Sequence, residues 1–226
     1  MTGRRPTAAI SWSGGKDSCS ALHRTVRQFD VVAALTMFDE AGARSRSHGL
    51  TPAIVAAQAS CLGLRSITPR CSWETYDASF GAALAELAAD GITHVIFGDI
   101  MFDEHRAWAE RMCGTAGLTA VEPIWGEPTD AMLSEFLASG GEAIIVTART
   151  PLLDESWLGR QLSIDMLDEL ARLGVDPCGE RGEYHTLVTN SPLFRQRLGV
   201  RRCGHVLRSA CWALDVELVP YDAADL

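Results

Sequence analysis

The stretch TAAISWSGGKDSCSALHRTV, residues 7–26, carries a short apolar run into Ser-Gly-Gly-Lys-Asp-Ser and then into a segment of helical period. Gly14 and Gly15 remove side chains where a backbone must approach a ligand closely. The helix that follows would offer unpaired N–H groups and the positive end of its dipole. Together they predict an anion site at a strand-to-helix turn, the place where open α/β sheets bind ligands. Ser13 and Ser18 add hydroxyls and Lys16 adds a charge. Asp17 would repel a phosphate, so it is expected either to cap the helix or to help hold Mg²⁺ bridging the phosphates. The spacing is not that of a P-loop, because Asp17 follows Gly-Lys where Ser or Thr is required, and it is not G-x-G-x-x-G.

Lys16 stands apart within the composition. Of 20 basic residues it is the only lysine. A lysine is a compact point charge on a flexible stem and an arginine is a planar fork, so the exception points to a task that needs an ammonium. Its side chain is expected to be exposed in the loop, carrying function and little of the core.

With 226 residues, 47% of them hydrophobic, the chain can bury a sizeable core in one large domain or two unequal ones. A formal charge of -9 disfavours a general polyanion binder, so nucleic acid is not an expected partner. No apolar stretch approaches a membrane span, and a cytoplasmic location is expected, with no membrane partner. The seven cysteines are odd in number and form no C-x-x-C pair, which argues against a disulfide framework or a zinc knuckle.

Apolar runs at 7–12, 31–37, 65–69, 93–98, 119–122 and 142–147 alternate with helix-period segments near 16–28, 51–63, 74–90, 104–116 and 129–139. That rhythm predicts a parallel sheet covered on both faces. It then gives way to a helix near 163–173, the turn-rich GVDPCGERGE, and β-like runs at 184–189 and 205–219. We therefore expect an α/β domain over residues 1–125 and a smaller α+β module over 126–226.

Two more motifs carry candidate chemistry. In the segment 96–126, Gly98-Asp99 ends a strand, Asp103 is placed to cap the next helix, and Arg106 and Glu110 share a helical face. Asp99, at the carboxyl end of a central strand, is the candidate functional acid. In CGERGEYHTLV, residues 178–188, Glu183 and His185 stand two apart, and in an extended segment they would point the same way. A carboxylate beside an imidazole suits general-base work or the binding of an ammonium-like group.

SGGKDS resembles the pyrophosphate-binding loop of the PP-loop ATP pyrophosphatases. Joined in order by SHGL, AQA and LGL between residues 47 and 64, by FGDI and HRAWAE, and by GERGEYHT, it makes nearly the whole chain similar to the diphthine-ammonia ligase family and its bacterial relatives. That resemblance implies a Rossmann-like sheet of the adenine nucleotide alpha hydrolase-like type. It also implies ATP and Mg²⁺, and cleavage of ATP between its α and β phosphates. A carboxylate acceptor, which a protein could carry, would be adenylated, and ammonia would displace AMP. By the same resemblance Ser13, Gly14, Gly15, Lys16, Asp17, Ser18, His48 and Gly98 are expected at the nucleotide, Asp17 at the metal, and Lys16, Asp99, Glu183 and His185 in catalysis.

Where related ligases read GEGGEYET, with an acid, this chain has His185. Because Glu183 and His185 lie far along the chain from the loop, they are expected to handle the acceptor or ammonia and to contribute little to holding ATP. The rival readings are a tRNA-modifying PP-loop enzyme, which would want a cysteine pair or a basic face, and an ATP-binding sensor without turnover.

Overall fold

The computed structural model describes residues 4–221. Strand β1 (Thr7–Ser11) is the centre of the first sheet, and its Ala8, Ala9 and Ile10 are wholly buried. A strand covered on both faces has no polar side to alternate with, which is why TAAIS reads as a plain apolar run. Around it stand β2 (Asp30–Leu35), β3 (Arg65–Ile67), β4 (His94–Ile96) and β5 (Thr119–Val121). All neighbours are parallel, in the order β3-β2-β1-β4-β5. The crossovers are helices α1 (Lys16–Thr25), α2 (Pro52–Leu62), α3 (Tyr76–Ala89) and α4 (Asp103–Thr115). Helix α2 shows how sequence sets bounds: Pro52 opens it, and Gly63, at φ 70°, closes it in the left-handed conformation.

This order has a topological consequence. From β1 the chain first builds outward through β2 and β3, then returns to the other side of β1 with β4. Between the carboxyl ends of β1 and β4 the neighbouring connections diverge, and a crevice opens there. Those two ends carry SGGKDS and Gly98-Asp99.

After α5 (Thr129–Ala138) the chain forms β6 (Glu142–Arg149), a 3-10 turn at Glu155–Trp157, α6 (Met166–Leu173), β7 (Tyr184–Asn190), β8 (Val200–Arg208) and β9 (Cys211–Leu218). These four strands make an antiparallel sheet in the order β7-β6-β9-β8. The run at 142–147, expected as a sixth parallel strand, is thus β6 of this second sheet. Its apolar content alone could not say which partners it would take. The single β-like run expected at 205–219 is a hairpin of β8 and β9, turned at Ser209 and Ala210, whose φ values are 46° and 63°.

The core is continuous across the two sheets. Ala8 and Ile10 of β1, Leu22 of α1 and Ile54 of α2 pack in one cluster with Ala143 and Ile145 of β6 and Leu187 of β7. The opposite face of the parallel sheet, with Ala9, Leu35 and Val95, is covered by Phe80, Leu84 and Leu87 of α3 and Met112 of α4. Of the seven cysteines, all are free thiols and five are buried. No helix among the described residues is long and apolar enough to cross a membrane.

Candidate active site

The glycine loop is held from below by a side chain that the sequence reading did not single out. Gln58, wholly buried on α2, accepts from Trp12 Nε1 at 3.0 Å, and its amide nitrogen donates to the carbonyls of Gly14 at 3.0 Å and Val188 at 2.8 Å. The Val188 N–H also donates to Gly14 O at 2.9 Å. A buried amide with its bonds made is rigid, so Gln58 ties β7 and the loop into one unit.

Gly14 sits at φ +86°, and a Cβ there would lie 2.8 Å from Gln58 Oε1. A Cβ on Gly15 would run into the ring of His48 and come within 3.1 Å of Thr186 Oγ1. Both glycines are therefore required by the protein's own packing. Gly98 has the same office on the other side, where a Cβ would meet the backbone of Asp17 and Ser18 within 2.9 Å.

Gly15 is the N-cap of α1, and no side chain caps the helix. Asp17 is therefore not a cap, which corrects one of its two expected roles. Asp103 is not a cap either: Phe102 precedes α4, and Asp103 lies in its first turn, where its charge faces the helix dipole. Ser13 Oγ accepts from the Gly15 N–H at 3.2 Å and lies 3.1 Å from Ser18 Oγ, which donates to Gly15 O at 3.0 Å.

Lys16 is 3% exposed, contrary to the expected exposed loop lysine. Its Nζ donates to Asp17 at 2.9 Å and to the carbonyl of Cys178, and it stands 5.4 Å from the centre of the Tyr184 ring. Burial opposes its charge, but Asp17, with Cys178 and Tyr184, outweighs that, and the ammonium is held well above its usual range.

The loop, the end of β4 and the third motif share one cavity of about 540 Å³, within the size range of small-molecule sites. Ser13, Lys16, Asp17 and Ser18 line it, as do Gly98 and Asp99 and, from elsewhere in the chain, His48 and His185. Gly14 and Gly15 lie behind that wall.

Glu183 is not brought to the cavity. Its buried carboxylate turns back and accepts from the N–H groups of Asp176 at 3.2 Å and Arg181 at 3.0 Å. Glu183 and His185 therefore do not present their side chains together. The acid that lines the cavity from this loop is Glu180, pushed up to about 8 by burial and by the nearby Asp17 charge. GERGEYHT contains both glutamates, and only the fold of the turn distinguishes them.

The third motif is not remote from the glycine loop. Thr186 Oγ1 accepts from the Lys16 N–H at 3.1 Å, and Thr186 O lies 2.7 Å from His48 Nδ1. A carbonyl only accepts, so Nδ1 carries the hydrogen and Nε2 keeps its lone pair. The rings of His48 and His185 stack with centroids 4.6 Å apart and planes at 22°. Burial lowers the pKa of His48 to about 4 and that of His185 to about 3, with Lys16 adding to both, so both rings are neutral at pH 7.

Asp99 takes a contact from His105 Nδ1 at 3.2 Å, and burial raises its pKa. Arg106 and Glu110 pair at 3.0 Å on the exposed face of α4, and Arg106 also lies 3.7 Å from Glu122. Both carboxylate oxygens of the partly buried Glu122 are shielded from solvent and make no hydrogen bond, and burial and the Asp99 charge push it up to about 7.

Among the described residues no three His, Cys, Asp or Glu side chains converge as a metal site. Asp17 alone at the loop would suit Mg²⁺, which commonly takes one or two carboxylates and completes its shell with phosphate oxygens and water.

Residues 6–120 match the family model described as the diphthamide synthase N-terminal domain, and residues 128–217 match that of the diphthamide synthase C-terminal domain. A diphthine–ammonia ligase of Rattus norvegicus is 28% identical over 225 residues, which is 88% of this chain and 84% of the relative. One of Schizosaccharomyces pombe is 28% identical over 214 residues, covering 82% of this chain but 34% of that longer protein. One of Danio rerio is 32% identical over 128 residues, 55% of this chain and 49% of its own. Among solved structures, a predicted subunit of tRNA methyltransferase from Methanocaldococcus jannaschii aligns with a TM-score of 0.41 at 15% identity, over 82% of this chain and 98% of its own. By the match of its N-terminal half and of its C-terminal part to the two models, the chain belongs to the diphthamide synthase family.

Proposed function

We propose that the chain is an ATP-dependent carbon–nitrogen ligase. It adenylates an acceptor carboxylate with release of pyrophosphate, and ammonia then displaces AMP to leave an amide. The observation that carries this reading is the seating of β7 on the glycine loop, with an anion-binding turn and a neutral histidine pair in one cavity.

The chemistry needs activation, because a carboxylate is a poor electrophile. In the first step an acceptor oxygen attacks the α phosphorus, and the bond to the β phosphate breaks. The N–H groups at the start of α1, the hydroxyls of Ser13 and Ser18 and the Lys16 ammonium would stabilise the departing pyrophosphate. Mg²⁺, held by Asp17 and the phosphates, would offset further charge.

In the second step the ammonia nitrogen forms its bond to the acyl carbon, AMP leaves, and one proton must be removed. His185 is the proposed acceptor of that proton. Its ring is neutral, and phosphate charge in the cavity would raise its pKa toward the range of an efficient base. Asp99 is the acid available to orient the ammonium form, and Glu180, raised to about 8, holds its proton at pH 7 and would gain charge only with a cation beside it.

The test is product analysis with ATP, ammonium and a panel of carboxylates. AMP and pyrophosphate are expected. ADP and phosphate as main products would overturn the reading, and ATP binding without turnover under every acceptor would favour a sensor.

A further inference from the structure

The mouth of the cavity is built differently from its floor. Lys16 and Arg46 are the lysine and arginine that line it, and they stand in opposite situations. Lys16 is paired with the Asp17 carboxylate at 2.9 Å. Arg46 donates from Nε at 3.1 Å, and from Nη2, to the carbonyl of Cys71, and its guanidinium carbon lies 4.7 Å from the centre of the Trp73 ring. No carboxylate pairs with it among the described residues.

A carbonyl and an aromatic face fix the position of this cation without cancelling its charge, and the Nη1 edge is left uncommitted. Trp73 itself is 68% exposed, stacks on Tyr76 at 5.7 Å, and is continued by Trp108, 5.9 Å from Tyr76. Trp73, Tyr76 and Trp108 all line the cavity. A scattered exposed apolar side chain needs no explanation. An indole clamped under a guanidinium at a cavity mouth, continuous with two further rings, is a preorganised surface for a flat anion.

We propose that Arg46 and Trp73, with Tyr76, form a subsite for a carboxylate carried on a flat, unsaturated body, the carboxylate on the open edge of Arg46 and the body against the indole. Naming that ligand as the acceptor rests on the ligase reading; the binding itself does not.

The experiment is calorimetric titration of the full chain with benzoate, with benzamide as the neutral isostere and acetate as the carboxylate without a ring. Benzoate should bind saturably, and benzamide and acetate about tenfold more weakly or worse. Arg46→Met and Trp73→Ala should each weaken benzoate by a similar factor, and Arg46→Lys should restore little, since a point charge does not reproduce a stacked fork. Melting temperature and ATP affinity should stay near those of the parent. Failure of benzoate to bind, or unchanged binding in Arg46→Met, would overturn the subsite. Competition between ATP and benzoate in the parent would also overturn it, by giving the indole to the nucleotide base. If benzoate binds as described but no carboxylate elicits pyrophosphate release, the subsite stands and the ligase reading fails.

Discussion

The backbone N–H of Lys16 donates to the hydroxyl of Thr186, 170 residues further along the chain, at 3.1 Å. The carbonyl of the same threonine receives the Nδ1–H of His48, whose ring fills the space above Gly15. One residue of β7 thus fixes both the first helical residue after the loop and the imidazole beside it. Thr186→Val keeps the shape and removes the acceptor, leaving a buried N–H unpaired at a cost of about 1–3 kcal/mol. We expect a lower urea midpoint together with ATP binding weakened by about tenfold. ATP affinity equal to the parent would mean that the loop keeps its geometry without this seat.

Lys16→Ala should abolish pyrophosphate release, and it should also lower stability, because the lysine is buried and its loss strands the Cys178 carbonyl and Asp17. Removing one partner of a buried pair costs about 3–5 kcal/mol, and less is expected here because Asp17 remains 20% exposed. Lys16→Arg should also be impaired, as a planar fork does not fit the space between Asp17 and Cys178. The check is a thermal melt beside a pyrophosphate assay. An unchanged melt in Lys16→Ala would show that the ammonium contributes nothing to the fold.

The loop and the parallel sheet were legible because their signals are local: paired glycines, a following helix, and apolar runs separated by helical periods. The seating of the loop was not. Gln58 sits in an alanine-rich helix, where a polar residue reads as a surface position, and only the packing of α2 under Trp12 and Val188 makes it a clamp. The pairing of Glu183 with His185 assumed an extended chain through both. Gly179 and Gly182, at φ 71° and 77°, turn the backbone just before β7, so the Glu183 carboxylate folds back onto its own loop. The distance along the chain between Lys16 and Thr186 likewise says nothing about their distance in space.

Glu183 and Glu180 should separate structure from chemistry. Glu183→Ala removes the acceptor of two buried-loop amides and is expected to cost about 2 kcal/mol or more. Glu183→Gln, which keeps one acceptor oxygen, should recover part of that. Glu180→Gln should hold or raise the melt at neutral pH, because a carboxyl raised to about 8 costs the folded chain stability there, while cutting turnover by about a hundredfold if the acid handles a proton or the ammonium. A fall in melting temperature in Glu180→Gln as large as that in Glu183→Ala would refute this division.

Two groups of opposite sign should shape stability against pH. His185 and His48 have folded pKa values of about 3 and about 4 against an ordinary 6.5, so below that value the unfolded chain binds protons that the folded chain refuses. Their contribution is fully present above 6.5 and is lost as pH falls toward 4 and 3. Glu122 runs the other way: its carboxyl holds its proton up to about 7 in the folded chain against an ordinary 4.5. Stability from that source is present below 4.5 and is lost as pH rises through 7. Urea unfolding across this range should therefore show an acid limb that His185→Gln flattens and an alkaline limb that Glu122→Gln flattens in part, Glu180, raised to about 8, carrying the rest. Saturating ATP should move the acid limb as well, because phosphate charge beside the stacked rings would raise their pKa values toward 6.5. An acid limb unchanged in His185→Gln would mean that this imidazole is not held neutral in the folded chain, and its assignment as the proton acceptor would fall with it.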